Sequence, residues 1–391
     1  MARRASKKAV PRGNGAAKSS ANTARPPGQI VLVLQGGGAL GAYQIGVYQA
    51  MHEAGIEPDW VIGTSIGAIN AALIAGNKPQ DRLKQMHAFW DVLEWQSPFP
   101  MMVTAPGVLN PLSNLSIMTQ GVPGFFKPNP SSWWGLQTPL GADHAAFYDT
   151  SPLHETLMEH VDFARANADA PRLTVGAVNA RTGEMRYFDS REETLAAEHV
   201  MASGALPPAF PAVRIDDEPY WDGGVYSNTP IEAVLDDNPR RSSTIFAIQL
   251  WNPSGSEPES IWQVLGRQKE IQYASRAATH IARQKQIHRL RHIITELGQR
   301  LPESKRDSAE VRELLSWGCR TTMHIVHLHA PRLEAEDHTK DIDFTEAGIR
   351  ARCQAGYRDT KEAIAEQPWT GAVDPIEGVL VHDHNSTEQM M

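Results

Sequence analysis

The chain has 391 residues, of which 41% are hydrophobic and 21% charged, and its net charge is −8. This balance excludes an intrinsically disordered chain and suits one large domain with additions, or about two to three domains. Cys319 and Cys353 are the only cysteines. That excludes a disulfide framework and leads to the expectation of a reducing, cytoplasmic setting, with peripheral contact at a membrane or lipid surface left open. No stretch approaches the roughly 20 apolar residues of a membrane span.

The charge is unevenly spread. Seven basic residues (Arg3, Arg4, Lys7, Lys8, Arg12, Lys18 and Arg25) fall before Gly28, and Glu53 is the first acid. Residues 1–28 are also rich in Ala, Ser, Gly, Pro and Asn. Such a segment cannot bury enough apolar surface to offset its ordering entropy, so a disordered basic tail is expected. A solvated leader is the plainer reading of it, and a loose grip on anionic lipid or nucleic acid the rarer one.

Ile30–Leu34 is a continuous apolar run, as expected of a strand buried on both faces of a parallel sheet. Gly36-Gly37-Gly38 follows, and Gly41 to Ala54 carries helical spacing at Ile45, Tyr48 and Met51. A second strand, Asp59–Ile62, leads into Gly63-Thr64-Ser65-Ile66-Gly67 and a small-residue helix, Ile66–Ala75. This βαβ unit places both glycine-rich turns at one sheet edge, beyond the carboxyl ends of the strands, where open α/β sheets bind ligands.

Residues 95–142 stand apart, with one charge (Lys127), eight prolines and a run of Trp, Phe and Met. Two readings compete. The insert is a lid or surface for an apolar substrate or membrane, or it is a loop packed on its own core. Further strands are expected at Leu173–Val178, Met185–Phe188, Val213–Ile215, Thr244–Leu250 and Met323–Leu328. Ser203–Pro211 reads as a helix end turning into a loop. From Ser256 to Leu301 the chain reads as helical, with Ile287, Leu290, Ile294 and Leu297 as a packing face. A last helix fits Thr345–Ile364, and the chain after Pro368 shows no regular pattern.

Gly63-Thr-Ser65-Ile-Gly67 fits the G-x-S-x-G nucleophile elbow in its expected setting, strand before and helix after. A serine hydroxyl needs a base to take its proton, and the attacked carbonyl needs donors for the oxyanion. Amides of Gly36-Gly37-Gly38-Ala39, at a helix start, are candidates for those donors. A dinucleotide fingerprint competes, since Gly36, Gly38 and Gly41 spell G-x-G-x-x-G. That reading needs an acid at the end of the second strand; Asp59 opens the strand instead, so the hydrolase reading ranks higher. None of the 15 histidines sits in a setting that nominates it as the base. His324, His327 and His329 fall on one expected strand, where packing on a sheet face explains them more simply than a metal. Trp221-Asp222-Gly223-Gly224 is the better source of a base, with Asn228, Thr229 and Pro230 expected to cap and start a helix.

Gly36-Gly-Gly-Ala-Leu-Gly41, Gly63-Thr-Ser-Ile-Gly67 and Asp222-Gly-Gly224, in that order, resemble the patatin-like phospholipases over roughly Gln29 to Pro253. The resemblance implies a three-layer α/β/α fold with a mostly parallel central sheet. It also implies lipid acyl hydrolysis by a serine–aspartate dyad, with Ser65 as nucleophile and Asp222 as base. The amides of Gly37 and Gly38, with Gly36 and Ala39 beside them, would form the oxyanion hole. Gly41, Gly63, Gly67, Gly223 and Gly224 would shape the turns. No metal or organic cofactor is implied. The expected partner is a lipid or fatty-acyl ester, without nucleic acid. The alternative is an inactive lipid- or granule-binding protein of the same fold. The family commonly carries Arg or Lys where this chain has Leu40. The expected organisation is a catalytic domain over 29–255, followed by a mainly helical extension over 256–391 with one added strand.

Overall fold

β1 (Gln29–Leu34) sits inside a sheet because both of its faces are apolar. Ile30, Leu32 and Leu34 enter one buried cluster, while Val31 and Val33 enter another. The strand alternation thus resolves a featureless apolar run into two cores, one on each side. The computed structural model describes residues 25–94, 117–135, 137–168, 171–274, 277–333, 336, 338–374 and 376–384. The expected basic tail up to residue 24, and residues 95–116 of the insert, lie outside the described residues.

The remaining strands of the main sheet are β2 (Trp60–Thr64), β3 (Arg172–Asn179), β4 (Met185–Asp189), β5 (Val213–Ile215), β6 (Glu218–Asp222), β7 (Ser243–Gln249), β8 (Met323–His329) and β9 (Val379–His384). Their order is β9-β8-β7-β1-β2-β3-β6-β5, with β4 paired to β3. The run from β9 to β3 is parallel; β4, β5 and β6 join antiparallel. The mostly parallel sheet flanked by helices is as expected.

One face is covered by α1 (Ala42–Glu53), α2 (Ile66–Ala75), α3 (Pro79–Leu93) and α8 (Glu346–Glu366). On the other lie α5 (Ile231–Leu235) and α7 (Ala277–Arg300). α4 (Ala197–Ser203) and α6 (Ile261–Ala274) carry Ser203 and Tyr273. α1 and α8 pack backbone to backbone. A side chain at Gly46 would collide with the Cys353 carbonyl, and one at Gly356 with the Tyr43 carbonyl. The Tyr43 hydroxyl donates to Asp359 Oδ2 at 3.0 Å across the same contact.

Three expectations are corrected. The C-terminal region adds two strands to the sheet, not one: β8 pairs with β7, and β9 pairs with β8. The chain after Pro368 is therefore not patternless, since Val379–His384 forms the edge strand; its polar half, His382-Asp383-His384, hid it. Finally, α7 does not pack through Leu290 and Leu297, which are 61% and 58% exposed. It buries Ile281, Gln284, His288 and His292 instead.

Within the described part of the insert, Phe125 and Phe126 are buried. Their ring centroids lie 5.8 and 5.2 Å from that of Phe210. Ala212 N–H donates to the Ala142 carbonyl at 3.0 Å, which ties this segment to the chain just after the proline-rich loop. Trp134 remains 79% exposed. Among the described residues, no helix is long and apolar enough to cross a membrane.

Candidate active site

Ser65 stands between β2 and α2 with φ = 57° and ψ = −128°. A positive φ costs a non-glycine residue of order 1–3 kcal/mol and persists only where surrounding structure imposes it. Here the imposing groups are visible. Ser65 N–H is shared between the Ser203 carbonyl at 3.1 Å and Ser203 Oγ at 3.0 Å. Ser203 Oγ in turn donates to the Gly176 carbonyl at 2.6 Å. The flanking glycines are needed for room: a side chain at Gly63 would strike the Gly67 carbonyl, and one at Gly67 the Leu34 carbonyl.

Asp222 ends β6 and is 2% exposed. Burial pushes its carboxyl up from the ordinary 3.8 to about 7, against hydrogen bonding from the Ser65 side chain and from Gly224 N–H. Gly224 N–H lies 2.7 Å from Oδ1. The structure thus brings Ser65 and Asp222 together. Gly223 allows the turn to close, because a side chain there would meet the Gly176 carbonyl at 2.5 Å. Tyr273 on α6 feels the same carboxylate: burial, then the Asp222 and Asp341 charges, raise its phenol to about 12.

The Gly36–Gly38 turn lies beside Ser65. A side chain at Gly36 would fall 2.9 Å from Ser65 Cβ. Gly36 itself is not a free donor, which corrects the expectation for that residue: its N–H donates to the Asn228 carbonyl at 3.2 Å. Among the described residues, no hydrogen bond occupies the N–H of Gly37 or Gly38. Gly38 has φ = 56°, and a side chain there would strike the Asp341 carbonyl. Asp341 is held by Lys269 Nζ at 2.8 Å, so the C-terminal region backs the glycine turn. Ala39 and Leu40 are buried. Leu40 lines a cleft of about 100 Å³ with Tyr43 and Leu250. A second cleft, of about 270 Å³, opens beside Gly224 and Tyr273.

Sequence reasoning missed the residues that clamp the turns together. Gln35 is fully buried. Its Nε2 donates to Thr229 Oγ1 at 2.6 Å and to the Tyr273 carbonyl at 3.2 Å, while its Oε1 accepts from Leu250 N–H and, at 3.0 Å, from Trp251 N–H. Asn228 and Thr229 do not cap a helix. α5 begins at Ile231, Asn228 Nδ2 donates to the Gly36 carbonyl at 3.0 Å, and Thr229 receives Gln35. The only sequence signal was a polar residue at the end of an apolar strand. Asp59, the acid of the dinucleotide reading, lies at the amino end of β2, where its Oδ2 accepts from Ile30 N–H at 2.8 Å.

Two glycine turns and an Asp-Gly-Gly turn meeting on a mostly parallel, helix-flanked sheet define a patatin-type α/β/α protein. A family model described as patatin-like phospholipase matches residues 32–235, and one described as patatin phospholipase matches residues 271–376. The chain belongs to the patatin-like phospholipase family. It is similar to human patatin-like phospholipase domain-containing protein 6, with 49% identity over 61 residues, 16% of this chain and 4% of that protein. It is also similar to lysophospholipase nte1 of Aspergillus terreus, with 61% identity over 44 residues, 11% of this chain and 3% of that protein. The chain thus covers only a small fraction of these relatives' own length. Among solved structures, VipD from Legionella pneumophila aligns with a TM-score of 0.40 and 16% identity, over 87% of this chain and 67% of that one.

Proposed function

We propose that this protein is a serine lipid acyl hydrolase, a carboxylic ester hydrolase that cleaves fatty-acyl esters with Ser65 as nucleophile and Asp222 as general base. The observation that carries this reading is the contact between the Ser65 side chain and a buried carboxyl held near neutrality. A base poised near the working pH is both sufficiently ionised and sufficiently basic to take the hydroxyl proton.

Ser65 Oγ attacks the acyl carbonyl as its proton passes to Asp222. The oxyanion is held by the N–H groups of Gly37 and Gly38, each worth about 2.7–4 kcal/mol if it matches known oxyanion donors. Asp222 returns the proton to the leaving alcohol, and an acyl–Ser65 ester remains. Asp222 then takes a proton from water, the hydroxide attacks the ester, and the fatty acid leaves as Ser65 recovers its proton. The dyad needs no histidine because burial does what an imidazole does elsewhere: it sets a base near pH 7.

In this reading the catalytic unit spans residues 29–255, and Lys269–Asp341 of the extension braces the oxyanion turn. Lysophospholipids and phospholipids are the first substrates to try, since the matched relatives are named for them. The protein then meets its substrate by peripheral contact with a lipid surface from the cytoplasm.

The test is turnover of a medium-chain chromogenic ester and of a lysophospholipid, with labelling by a fluorophosphonate. Ser65→Ala and Asp222→Asn are expected to lose turnover, and Ser65→Ala to lose labelling. Wild-type turnover in either variant rejects the assignment. A folded wild-type chain that takes no label would instead favour an inactive lipid-binding protein.

A further inference from the structure

β8 carries His327 and His329 two residues apart, so the strand period sends both to one face. β9 runs parallel beside it with Asp383 opposite His327. One ligand atom from each of the three side chains lies within 4.8 Å of the others. His327 Nδ1 is 2.9 Å from Asp383 Oδ1. That contact is a hydrogen bond, and a small shift admits an ion: ligands about 2.1 Å from a tetrahedral centre stand about 3.4 Å apart. His327 is only 6% exposed, and its Nε2 is buried with no hydrogen-bond partner among the described residues. A ring that gives Nδ1 to an ion carries its proton on that Nε2.

The Asp383 side chain is 60% exposed, so an ion has a path in and water has room to complete the shell.

We propose that His327, His329 and Asp383 bind one first-row divalent transition cation of the zinc class at the carboxyl edge of β8 and β9. Two imidazoles and a carboxylate are borderline-to-hard donors that suit such an ion and not a soft one. The ion pins the edge strand β9, which among the described residues has a sheet neighbour on one side only, to β8. The sequence pattern alone pointed to sheet packing, because the third ligand arrives from a strand more than 50 residues away.

A second cluster, His288, His292 and Cys319, offers three ligand atoms as close together. Its electrostatics are opposed to a dication, since the charges of Arg291 and Arg240 both act on His288. It is therefore the comparison site.

The experiment uses the untagged full-length chain, stripped with a chelator and equilibrated by dialysis against micromolar Zn²⁺, followed by elemental analysis. About one zinc per chain is expected, with an upward thermal shift. His327→Ala and Asp383→Asn should each weaken binding at least tenfold, while His288→Ala binds as wild type. The proposal is overturned if the wild-type chain retains no zinc, if Asp383→Asn binds as tightly as wild type, or if His288→Ala is the variant that loses the metal. Asp383 is exposed and its asparagine isosteric, so that variant decides the matter if His327→Ala fails to fold.

Discussion

The side-chain amide of Asn228 donates to the Gly36 carbonyl at 3.0 Å, and Gly36 N–H returns a bond to the Asn228 carbonyl at 3.2 Å. This reciprocal pair locks the turn that follows Asp222 to the turn beside Ser65. Replacing Asn228 by Ala removes one of two donors to the Gly36 carbonyl, which keeps Trp251 Nε1 at 2.9 Å, so the cost is that of a single hydrogen bond, about 0.5–1.5 kcal/mol. Because the lost bond also sets the distance between the proposed oxyanion donors and the proposed base, turnover should fall by about 10²-fold. Ester kinetics and a urea melt on Asn228→Ala check both figures. A variant with wild-type kcat would show that the two turns hold their positions without the bond.

Asp222 gives a pH signature with a definite sign. Its folded value, about 7, lies above its ordinary 3.8. As the proposed base it must be ionised, so kcat/KM should rise with pH and level off above about 7, losing about tenfold per pH unit below that. Stability runs the other way. The raised value favours the protonated carboxyl, so that stabilisation is complete below about pH 4 and lost as pH rises through 7. Asp222→Asn should therefore match wild type near pH 4 and exceed it above pH 7, by an amount on the order of 4 kcal/mol. Denaturant melts of both proteins across pH 4–8 read the difference. A constant gap over that range would mean that the carboxyl is not shifted.

The strained backbone at Ser65 is separable from its chemistry. Ser65→Ala and Ser65→Gly both remove the hydroxyl, but only glycine accepts φ = 57° with ψ = −128° at no steric cost. Ser65→Gly should then be more stable than Ser65→Ala by about 1 kcal/mol, the part of the strain left after glycine's greater chain entropy is subtracted. Equilibrium unfolding of the two inactive variants measures it. Equal midpoints would mean that Ser65 stores no strain.

Gly38 and Gly55 make a matched pair, since both have positive φ, 56° and 71°. Among the described residues, a side chain at Gly55 meets nothing within 4 Å, whereas one at Gly38 strikes the Asp341 carbonyl. Gly55→Ala should cost about 1 kcal/mol and leave turnover intact. Gly38→Ala should cost more, because backbone must move, and should reduce turnover by about 10²-fold or more through displaced N–H groups. Melting curves and ester kinetics on the pair separate backbone conformation from crowding.

The elements that were legible in the sequence are those whose signal is local. The βαβ unit from Gln29 to Ala75 was readable because an apolar run, two glycine turns and a small-residue helix follow one another directly. Ser65 and Asp222 were nominated by turns whose geometry only glycines permit. What escaped notice has a common cause. Ser203, Gln35 and Asn228 reach the site through partners 138 to 216 residues away, so nothing near them in the chain marks their role. β9 was lost because its outer half is polar, and the face of α7 was misread because the buried side is lined by Gln284, His288 and His292.

By itself, the sequence determined that this chain folds as a helix-flanked, mostly parallel sheet with two tight turns at one edge. Strand burial and glycine sterics act between neighbouring residues, and such rules can be read in order. Only the tertiary structure decided which N–H groups stay free, which carboxyl loses its water and which strand ends the sheet. Each of those depends on what distant segments bring to the same place: Asn228 to Gly36, Asp222 to Ser65, and Asp383 to His327.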